Sequence, residues 1–386
     1  MRRLFPALLL TACVFGCATN SGAPGTAEAD RPPEILFWTP DQRRDGFRTI
    51  ERSSPVRWVK AGDAPLELGS APRDLTEVTY EIDGESFTIA EFLQDPASIG
   101  LIVVQDGDVL FERYAPGNDE SSRWISFSVT KSVTSMLIGA AIQDGFIGSV
   151  DEPVVHYLPR LRGTSYEKTT IRNVLNMASG VRWNEDYADR ASDVAKAGGA
   201  NGVALVSYLA DLPNDATPGD KFNYNTGETN LAGELLRAAI GNNASTYLTH
   251  KIWQPYGMEA DAFWVLGAPG GGELGGCCIN ATLRDYARLG MFAMNGGQLA
   301  DGTRVLPDGW MAESTAPSKG YDGYGYLWWL EGEGRYSARG IFGQTIRMDP
   351  SKRLVIAMHG NAPTAVGSVF HKHQAAALAA LRNAID

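Results

Sequence analysis

The fold is decided by the stretch WISFSVTKSVTSMLIGAAIQDG, residues 124–145 of this 386-residue chain. From Ser128 to Ile142 it contains no proline and is apolar or small on nearly every side, which is typical of a helix buried all round. Gly145 is placed to end that helix. The stretch therefore predicts a buried helix with Ser128 in its first turn.

Ser128 and Lys131 are three residues apart, so their side chains share one face of this helix. A serine hydroxyl needs an adjacent base, and a lysine serves as that base only where burial or a neighbouring cation destabilises its charged form. The free N–H groups at the helix N-terminus suit an oxyanion. The pair is a candidate nucleophile and base, although a small residue capping or packing a core helix explains Ser128 equally well.

The same spacing occurs again at Ser165 and Lys168. That copy lies in the polar stretch RGTSYEKT, residues 162–169, with no apolar helix behind it. We therefore interpret it as a solvated loop, and context rather than spacing favours Ser128.

The first 17 residues are typical of an export signal, with basic Arg2 and Arg3 before an apolar segment too short to span a bilayer. Small residues precede both Cys13 and Cys17, as in a bacterial lipoprotein signal. We expect Cys17 to be lipidated, because that choice gives the more usual signal length and a polar tether follows it. An ordinary cleaved signal is the alternative. The mature protein is thus expected in the periplasm or cell envelope, touching the membrane only through this anchor.

The rest of the chain divides into a tether and one large domain. Residues 18–45 begin small and polar, as in a flexible tether. Residues 46–386 exceed the usual ~100–200 residues of a domain, which predicts either one large core with an inserted subdomain or two lobes. The helical pattern in the middle of the chain places an inserted helical lobe at about residues 145–310. No later stretch is apolar for long enough to cross a membrane.

Composition excludes several functions. A net charge of −11, a pI near 5.0 and the lack of a basic run argue against nucleic-acid binding. The five histidines form no H-E-x-x-H motif, so metal catalysis is not expected. Adjacent Cys277 and Cys278 pair with difficulty, and two buried thiols are expected.

Strand patterns stand at both ends of the chain. Asp83-Gly84 and Asp106-Gly107 each separate β-branched runs, the strongest short signal for a hairpin. The middle of the chain is helical and loop-rich. The pattern predicts an α+β fold, an antiparallel sheet of N- and C-terminal strands flanked by helices, with a mostly helical lobe inserted. Later strands and a closing helix are predicted at residues 324–330, 345–348, 354–358 and 369–384.

A further proton carrier is suggested by Tyr224, which lies in a tight loop before a predicted helix. No serine has glycines two residues before and after it, so the α/β-hydrolase nucleophile elbow is absent. A tyrosine whose pKa is lowered by a nearby ammonium can pass protons between a serine and a leaving group. Alone, a loop tyrosine covering the core is the simpler interpretation.

The ordered set Ser128-Val129-Thr130-Lys131 and Phe222-Asn223-Tyr224 resembles the serine β-lactamase-like superfamily. This superfamily includes class C β-lactamases, D-alanyl-D-alanine carboxypeptidases, family VIII carboxylesterases and 6-aminohexanoate-dimer hydrolases. The resemblance runs from about Thr76 to the C-terminus and implies a β-lactamase/transpeptidase-like fold. It also implies that Ser128 is the acylated nucleophile, Lys131 its base and Tyr224 the second proton carrier.

The third superfamily element, a Lys-Thr-Gly strand edge, is matched by RGIFGQ, residues 339–344. The likeness implies that the N–H groups of Ser128 and Gln344 form the oxyanion hole, with Phe342 and Gly343 at the substrate. Ile341 and Phe342 replace the cation and hydroxyl that hold a β-lactam carboxylate. This departure disfavours a β-lactamase and turns the expectation toward amides or esters.

Within the superfamily the likeness is closest to 6-aminohexanoate-dimer hydrolases. It rests on MASGVRWNEDYAD (residues 177–189), on threonine at position 226 in place of the usual asparagine, and on residues 340–344. In that group the tyrosine matching Tyr187 hydrogen-bonds the scissile amide nitrogen. A surface tyrosine beside the acidic Glu185, Asp186 and Asp189 is the alternative. Large aromatics that either line the site or fill the core are Trp183, Trp328 and Trp329.

The resemblance implies an exported serine hydrolase that cleaves a linear amide or a related small acyl compound through an acyl-enzyme on Ser128. No cofactor is implied, and the partner is the small-molecule substrate. Two alternatives stand beside it: a carboxylesterase of the same fold, and a non-catalytic binding module of the envelope resembling penicillin-binding proteins.

Overall fold

The computed structural model describes residues 35–386. The export signal, Cys13, Cys17 and most of the predicted tether lie outside the described residues. The domain begins earlier than the predicted residue 46. Buried Arg43, in a short helix with a capping box at Thr39, donates to Asn361 Oδ1 at 3.1 Å and to the carbonyl of Ala362 at 3.0 Å.

Strands come from both ends of the described chain. In chain order they are β1 Val56–Val59, β2 Gly69–Ser70, β3 Thr79–Ile82, β4 Glu85–Thr88, β5 Ser98–Gln105, β6 Asp108–Tyr114, β7 Trp124–Ile125, β8 Ala262–Val265, β9 Ile279–Ala281, β10 Trp329–Gly332, β11 Arg335–Arg339, β12 Thr345–Asp349 and β13 Leu354–Gly360.

Helices dominate the middle. They are α1 Pro40–Gly46, α2 Ile89–Gln94, α3 Val129–Gln143, α4 Ile171–Leu175, α5 Asp193–Ala197, α6 Gly202–Ala210, α7 Thr226–Ile240, α8 Ala244–Leu248, α9 Leu283–Met294, α10 Trp310–Ser314 and α11 Val369–Asn383. A π-helical turn spans Thr249–Trp253, and 3-10 turns span Ile35–Phe37, Ile50–Arg52, Val154–His156, Pro159–Leu161 and Pro350–Lys352.

The main sheet joins the two ends of the chain, as predicted. Its order is β10-β11-β12-β13-β5-β6-β2, and every pairing is antiparallel except the short contact of β2 with β6. Successive strand residues point to opposite faces. Ile102 and Ala357 therefore join the core on the face that α9 covers, while Leu101 and Met358 join the core beneath α11. Burial on both faces explains the continuous apolar runs of β5 and β13.

Both predicted hairpins form. Asp83 and Gly84 have φ of 52° and 86°, and Asp106 and Gly107 have 53° and 92°, the left-handed conformations that two-residue hairpin turns require. The first hairpin, β3 with β4, is a separate two-stranded sheet rather than part of the main sheet. It packs against α11, where the Tyr80 hydroxyl lies 2.9 Å from His373 Nδ1.

The inserted lobe is less purely helical than its sequence indicates. It contains β8 and β9, which pair with β1 and β7 in a second sheet of order β1-β8-β9-β7. These strands are three to four residues long and fully buried, so they show no alternation. The adjacent cysteines, expected as two buried thiols, differ in burial: Cys278 is buried and Cys277 is half-buried, and their sulfur atoms are in contact. Among residues 35–386, no helix has the length and apolarity needed to span a bilayer.

Helix α3 lies in the core with its Val129–Ala141 side chains all buried. It packs against α7, and the loop before β9 crosses both helices. Thr134 of α3 donates to the carbonyl of Gly275 at 2.7 Å, and the Gly275 backbone approaches that of Gly233 in α7. A Cβ atom at Gly275 would lie 2.9 Å from Gly233 N and 3.0 Å from Gly233 Cα.

We predict that Gly275→Ala lowers the free energy of unfolding by about 1–3 kcal/mol, because the added methyl meets backbone atoms that cannot rotate away. Urea unfolding followed by tryptophan fluorescence measures this change. Gly199→Ala is the matched control, since an added Cβ there meets open space. Equal stability of the two variants would contradict the close packing at Gly275.

Candidate active site

Ser128 stands at the junction of β7 and α3. Phe127, just before it, has φ 43°, which is uncommon for a residue other than glycine and reverses the chain between strand and helix. Ser128 occupies the N-cap position and retains 8% of its surface exposed. The backbone bonds of this turn run from Val129 N–H to the Ser126 carbonyl and from Thr130 N–H to the Phe127 carbonyl. A serine in this position presents its hydroxyl at the open end of a buried helix.

Lys131 lies one turn into α3 and is 1% exposed. Its Nζ donates to Thr226 Oγ1 and to the Gly276 carbonyl, both at 3.0 Å. A Cβ at Gly276 would lie 3.0 Å from Nζ, so glycine permits this approach. Burial lowers the pKa of Lys131 from 10.5 to about 8, while the charge of Glu185 acts in the opposite direction and raises it. An amine with this pKa is partly uncharged near neutral pH, whereas an ordinary lysine amine is almost entirely charged there.

Tyr224 completes the predicted trio. Its ring centroid lies 5.3 Å from Lys131 Nζ, and it stacks on Trp329 with centroids 5.6 Å apart. The Ser128 hydroxyl lies near enough to act on the Tyr224 phenol, where its weaker effect lowers the pKa. Removal from water and the charge of Glu185 raise the Tyr224 pKa above its usual value. The nearby Lys131 amine therefore does not bring the Tyr224 pKa below its usual value, and the phenol keeps its proton at neutral pH.

The segment from Gly340 to Gln344 packs against the turn that carries Ser128. A Cβ at Gly340 would meet the Ser126 carbonyl, and the Phe342 and Phe127 rings have centroids 5.0 Å apart. Gln344 is 1% exposed, and its side chain donates to the Gly360 carbonyl at 3.0 Å while accepting from Phe342 N–H at 3.2 Å. These contacts fix the Gln344 backbone beside the turn that carries Ser128.

Phe342 and Gly343 behave differently from the expectation for substrate contacts. The Phe342 side chain is 0% exposed and lies under the Arg43 guanidinium, with its ring centroid 4.5 Å from Arg43 Cζ. A substrate contact is therefore left to the backbone of Phe342. Gly343 has φ 92°, and its carbonyl accepts from Gln374 Nε2 at 2.6 Å. Residue 343 thus serves as the turn that leads into β12.

Tyr187 is half-buried and donates to Glu185 Oε1 at 2.8 Å. Tyr187 lies at the site, since the Tyr224 phenol is near enough to contribute to the raised pKa of Tyr187. Glu185 also accepts from Thr226 N–H at 3.0 Å, from the Thr226 hydroxyl and from Trp183 Nε1. Asp186 and Asp189, its partners in the predicted acidic cluster, are exposed.

Three groups of the site had no role predicted from the sequence: the Thr226 hydroxyl, the Gly276 carbonyl and the Glu185 carboxylate. Trp183, Glu185 and Tyr187 alternate inward with exposed Asn184, Asp186 and Ala188. That period of two is a signal that could have separated Glu185 from its acidic neighbours. A backbone carbonyl such as that of Gly276 leaves no signal of this kind.

The remaining candidates divide between core and site. Trp183 and Trp328 are 5% and 2% exposed and belong to the core, whereas Trp329 is half-buried against Tyr224. The second copy of the spacing lies in a turn with Lys168 exposed, as predicted. Within the described part of the chain, no group of three or more His, Cys, Asp or Glu side chains is arranged to hold a metal ion.

Known proteins share this architecture. A 6-aminohexanoate-dimer hydrolase from Paenarthrobacter ureafaciens is 27% identical over 318 residues, which cover 76% of this chain and 80% of that protein. A Bacillus anthracis structure assigned as a 6-aminohexanoate-dimer hydrolase superposes with a TM-score of 0.76 at 22% identity, covering 89% of this chain and 93% of its own. A family VIII carboxylesterase structure superposes with a TM-score of 0.58 at 17% identity, covering 76% of this chain and 95% of its own.

The model of the beta-lactamase family matches residues 88–381. That range contains α3, the main sheet from β5 to β13 and the whole inserted lobe. The chain therefore belongs to the beta-lactamase family and has the fold of its serine hydrolases.

Proposed function

We propose that this protein is a serine hydrolase that cleaves linear amides of the 6-aminohexanoate-oligomer type, or related small acyl compounds, through an acyl-enzyme on Ser128. The observation that carries the proposal is the buried Lys131 amine, one helical turn from Ser128, 5.3 Å from the ring centre of Tyr224. Burying an amine costs free energy, and a binding module has no need of it.

In the proposed mechanism, uncharged Lys131 accepts the proton of Ser128 as Oγ attacks the substrate carbonyl. The backbone N–H groups of Ser128 and Gln344 stabilise the oxyanion, at roughly 3–4 kcal/mol per donor by comparison with other serine hydrolases. Tyr224 then gives its proton to the leaving group and regains one from Lys131. Water repeats these steps on the acyl-enzyme and releases the acid.

The strand edge supports amides or esters over β-lactams. Where β-lactamases carry a cation and a hydroxyl, this chain has half-buried Ile341 and fully buried Phe342. Arg339, the cation at the end of β11, is occupied by Glu331 at 2.7 Å and Ser337 at 2.9 Å. A β-lactam carboxylate would therefore lack its usual partner here. The identity with the Paenarthrobacter ureafaciens hydrolase supports the choice of a linear amide.

Export belongs to the proposal and rests on residues 1–17 alone. We propose that the mature protein is carried to the periplasm or envelope and is anchored through a lipid on Cys17. Mass analysis of the N-terminal peptide from membranes tests this, and a peptide that begins with unmodified Ala18 or a later residue would contradict it.

We predict that Lys131→Met lowers kcat/KM for p-nitrophenyl butyrate by about 10²–10⁴-fold, because methionine fills the buried site without supplying a base. The matched control is Lys168→Met, which changes the exposed lysine of the second Ser-x-x-Lys sequence and should leave the rate unchanged. Equal rates for both variants would show that Lys131 is not the base.

We predict that kcat/KM for an uncharged ester rises with pH through a midpoint near 8, because the neutral form of Lys131 increases as its proton leaves at a pKa of about 8. At pH 7 only about one Lys131 in ten is uncharged. Initial rates between pH 6 and 9, corrected for spontaneous hydrolysis, measure this profile. A flat profile over that range would contradict the role of Lys131.

We predict that Tyr187→Phe lowers the hydrolysis of the 6-aminohexanoate dimer at least about tenfold more than that of p-nitrophenyl butyrate, because an amine leaving group needs more help than a phenolate. Tyr208→Phe, which removes a hydroxyl bonded to Asp193 at 2.6 Å, is the control. If Tyr187→Phe slowed both substrates equally, the esterase alternative would be favoured.

Labelling with a fluorophosphonate separates catalysis from binding. The proposal expects a modified Ser128, with labelling abolished in Ser128→Ala and retained in Ser165→Ala. Absence of modification at every serine would instead favour the non-catalytic envelope module.

A further inference from the structure

Glu185 accepts four hydrogen bonds that the proposed mechanism does not use. Its Oε1 accepts from the Thr226 hydroxyl and the Tyr187 phenol, and its Oε2 accepts from Thr226 N–H and Trp183 Nε1. Each oxygen thus receives two donors, which is the acceptor capacity of an ionised carboxylate. Thr226 is also the first residue of α7, whose N-terminal dipole favours a negative charge. These contacts hold the Glu185 carboxylate inside the site with all four of its acceptor positions used.

Thr226 connects this anion to Lys131. Its hydroxyl donates to Glu185, so the same oxygen is left to accept from Lys131 Nζ at 3.0 Å. The Gly276 carbonyl accepts a second N–H from Nζ at 3.0 Å, and Gly276 is held by Asn230 Oδ1 at 2.8 Å. Two fixed acceptors use both hydrogens of a neutral amine and leave its lone pair for another partner.

The other titratable groups that face Glu185 are the phenols of Tyr187, Tyr224 and Tyr324, on its own loop, before α7 and before β10. The pKa of each is raised, so all three remain uncharged at neutral pH. The charge that Glu185 acts on is therefore that of Lys131, and its effect opposes the loss of water that lowers the Lys131 pKa.

We infer that Glu185 is the counter-charge of Lys131, a positioning residue that acts through the Thr226 hydroxyl and sets the pH at which Lys131 becomes an uncharged base. This inference rests on the proposed function. The hydroxyl of Thr226 is suited to the link because it donates to the anion and accepts from the amine at the same time, whereas valine would do neither.

The test is the rate of fluorophosphonate labelling of Ser128 between pH 5.5 and 9.5, followed by intact mass. In the wild-type chain the rate should rise with a midpoint near 8, the pKa of Lys131. Glu185→Gln removes the charge that favours the ammonium form, so the midpoint should fall by about 1 pH unit. Glu185→Asp, which keeps the charge, should restore most of the wild-type midpoint.

Asp186→Asn is the matched control, because it removes an exposed carboxylate one residue away and should leave the midpoint unchanged. If Glu185→Gln does not fold, Thr226→Val tests the same link, since loss of the hydroxyl that accepts from Nζ should also lower the midpoint, and Thr226→Ser should preserve it. A wild-type midpoint in Glu185→Gln, or in folded Thr226→Val, would overturn this inference and leave the proposed function standing. An unlabelled Ser128 in the wild-type chain would overturn the proposed function, and this inference with it.

Discussion

The burial of a single amine, that of Lys131, is the constraint on which the site depends. An ammonium group removed from water is expensive, and the chain meets that expense with two fixed acceptors, Thr226 Oγ1 and the Gly276 carbonyl, and with a nearby carboxylate. Three separate elements must therefore converge at one atom: helix α3, the start of α7 and the loop before β9. The close backbone approach of Gly275 to Gly233 shows how tightly that convergence is packed.

The two halves of the fold contribute different parts of the site. The end of β7 delivers Ser128, and the turn between β11 and β12 packs beside it through Gly340 and Phe342. The inserted lobe delivers Tyr224, Tyr187 and Glu185, and Tyr224 meets the sheet by stacking on Trp329 of β10. A chain that inserts a lobe between strands of one sheet can thus bring the proposed nucleophile together with proposed proton carriers that are distant in sequence.

Much of this arrangement could be predicted from the sequence, because periodicity and turn chemistry are local signals. The two Asp-Gly hairpins, buried α3 and the sheet that joins both chain ends all followed from such patterns. The short strands β8 and β9 could not be found, since fully buried strands of a few residues have no alternation. The start of the domain was missed because an arginine in a polar N-terminal stretch is expected to be solvated. The acceptors that bury Arg43, Asn361 Oδ1 and the Ala362 carbonyl, are close to it only in the folded chain.

For the site itself, the resemblance placed Ser128, Lys131 and Tyr224 in one region, but it did not show their protonation. The pKa of Tyr224 is raised first by burial and then by the charge of Glu185, and the inward turn of Glu185 depends on donors from Trp183 and Thr226. Electrostatic coupling between residues that are neighbours only in the folded chain has no local sequence signal.

The most direct test of this account is the titration of Lys131 itself. Carbon-13 NMR of the lysine side-chain ε-carbons follows each amine, and the Lys131→Met spectrum identifies the resonance of interest. If Lys131 is the base, this resonance titrates with a midpoint near 8. A midpoint near 10.5, the ordinary value for lysine, would mean that the amine stays charged at neutral pH and cannot act as the base.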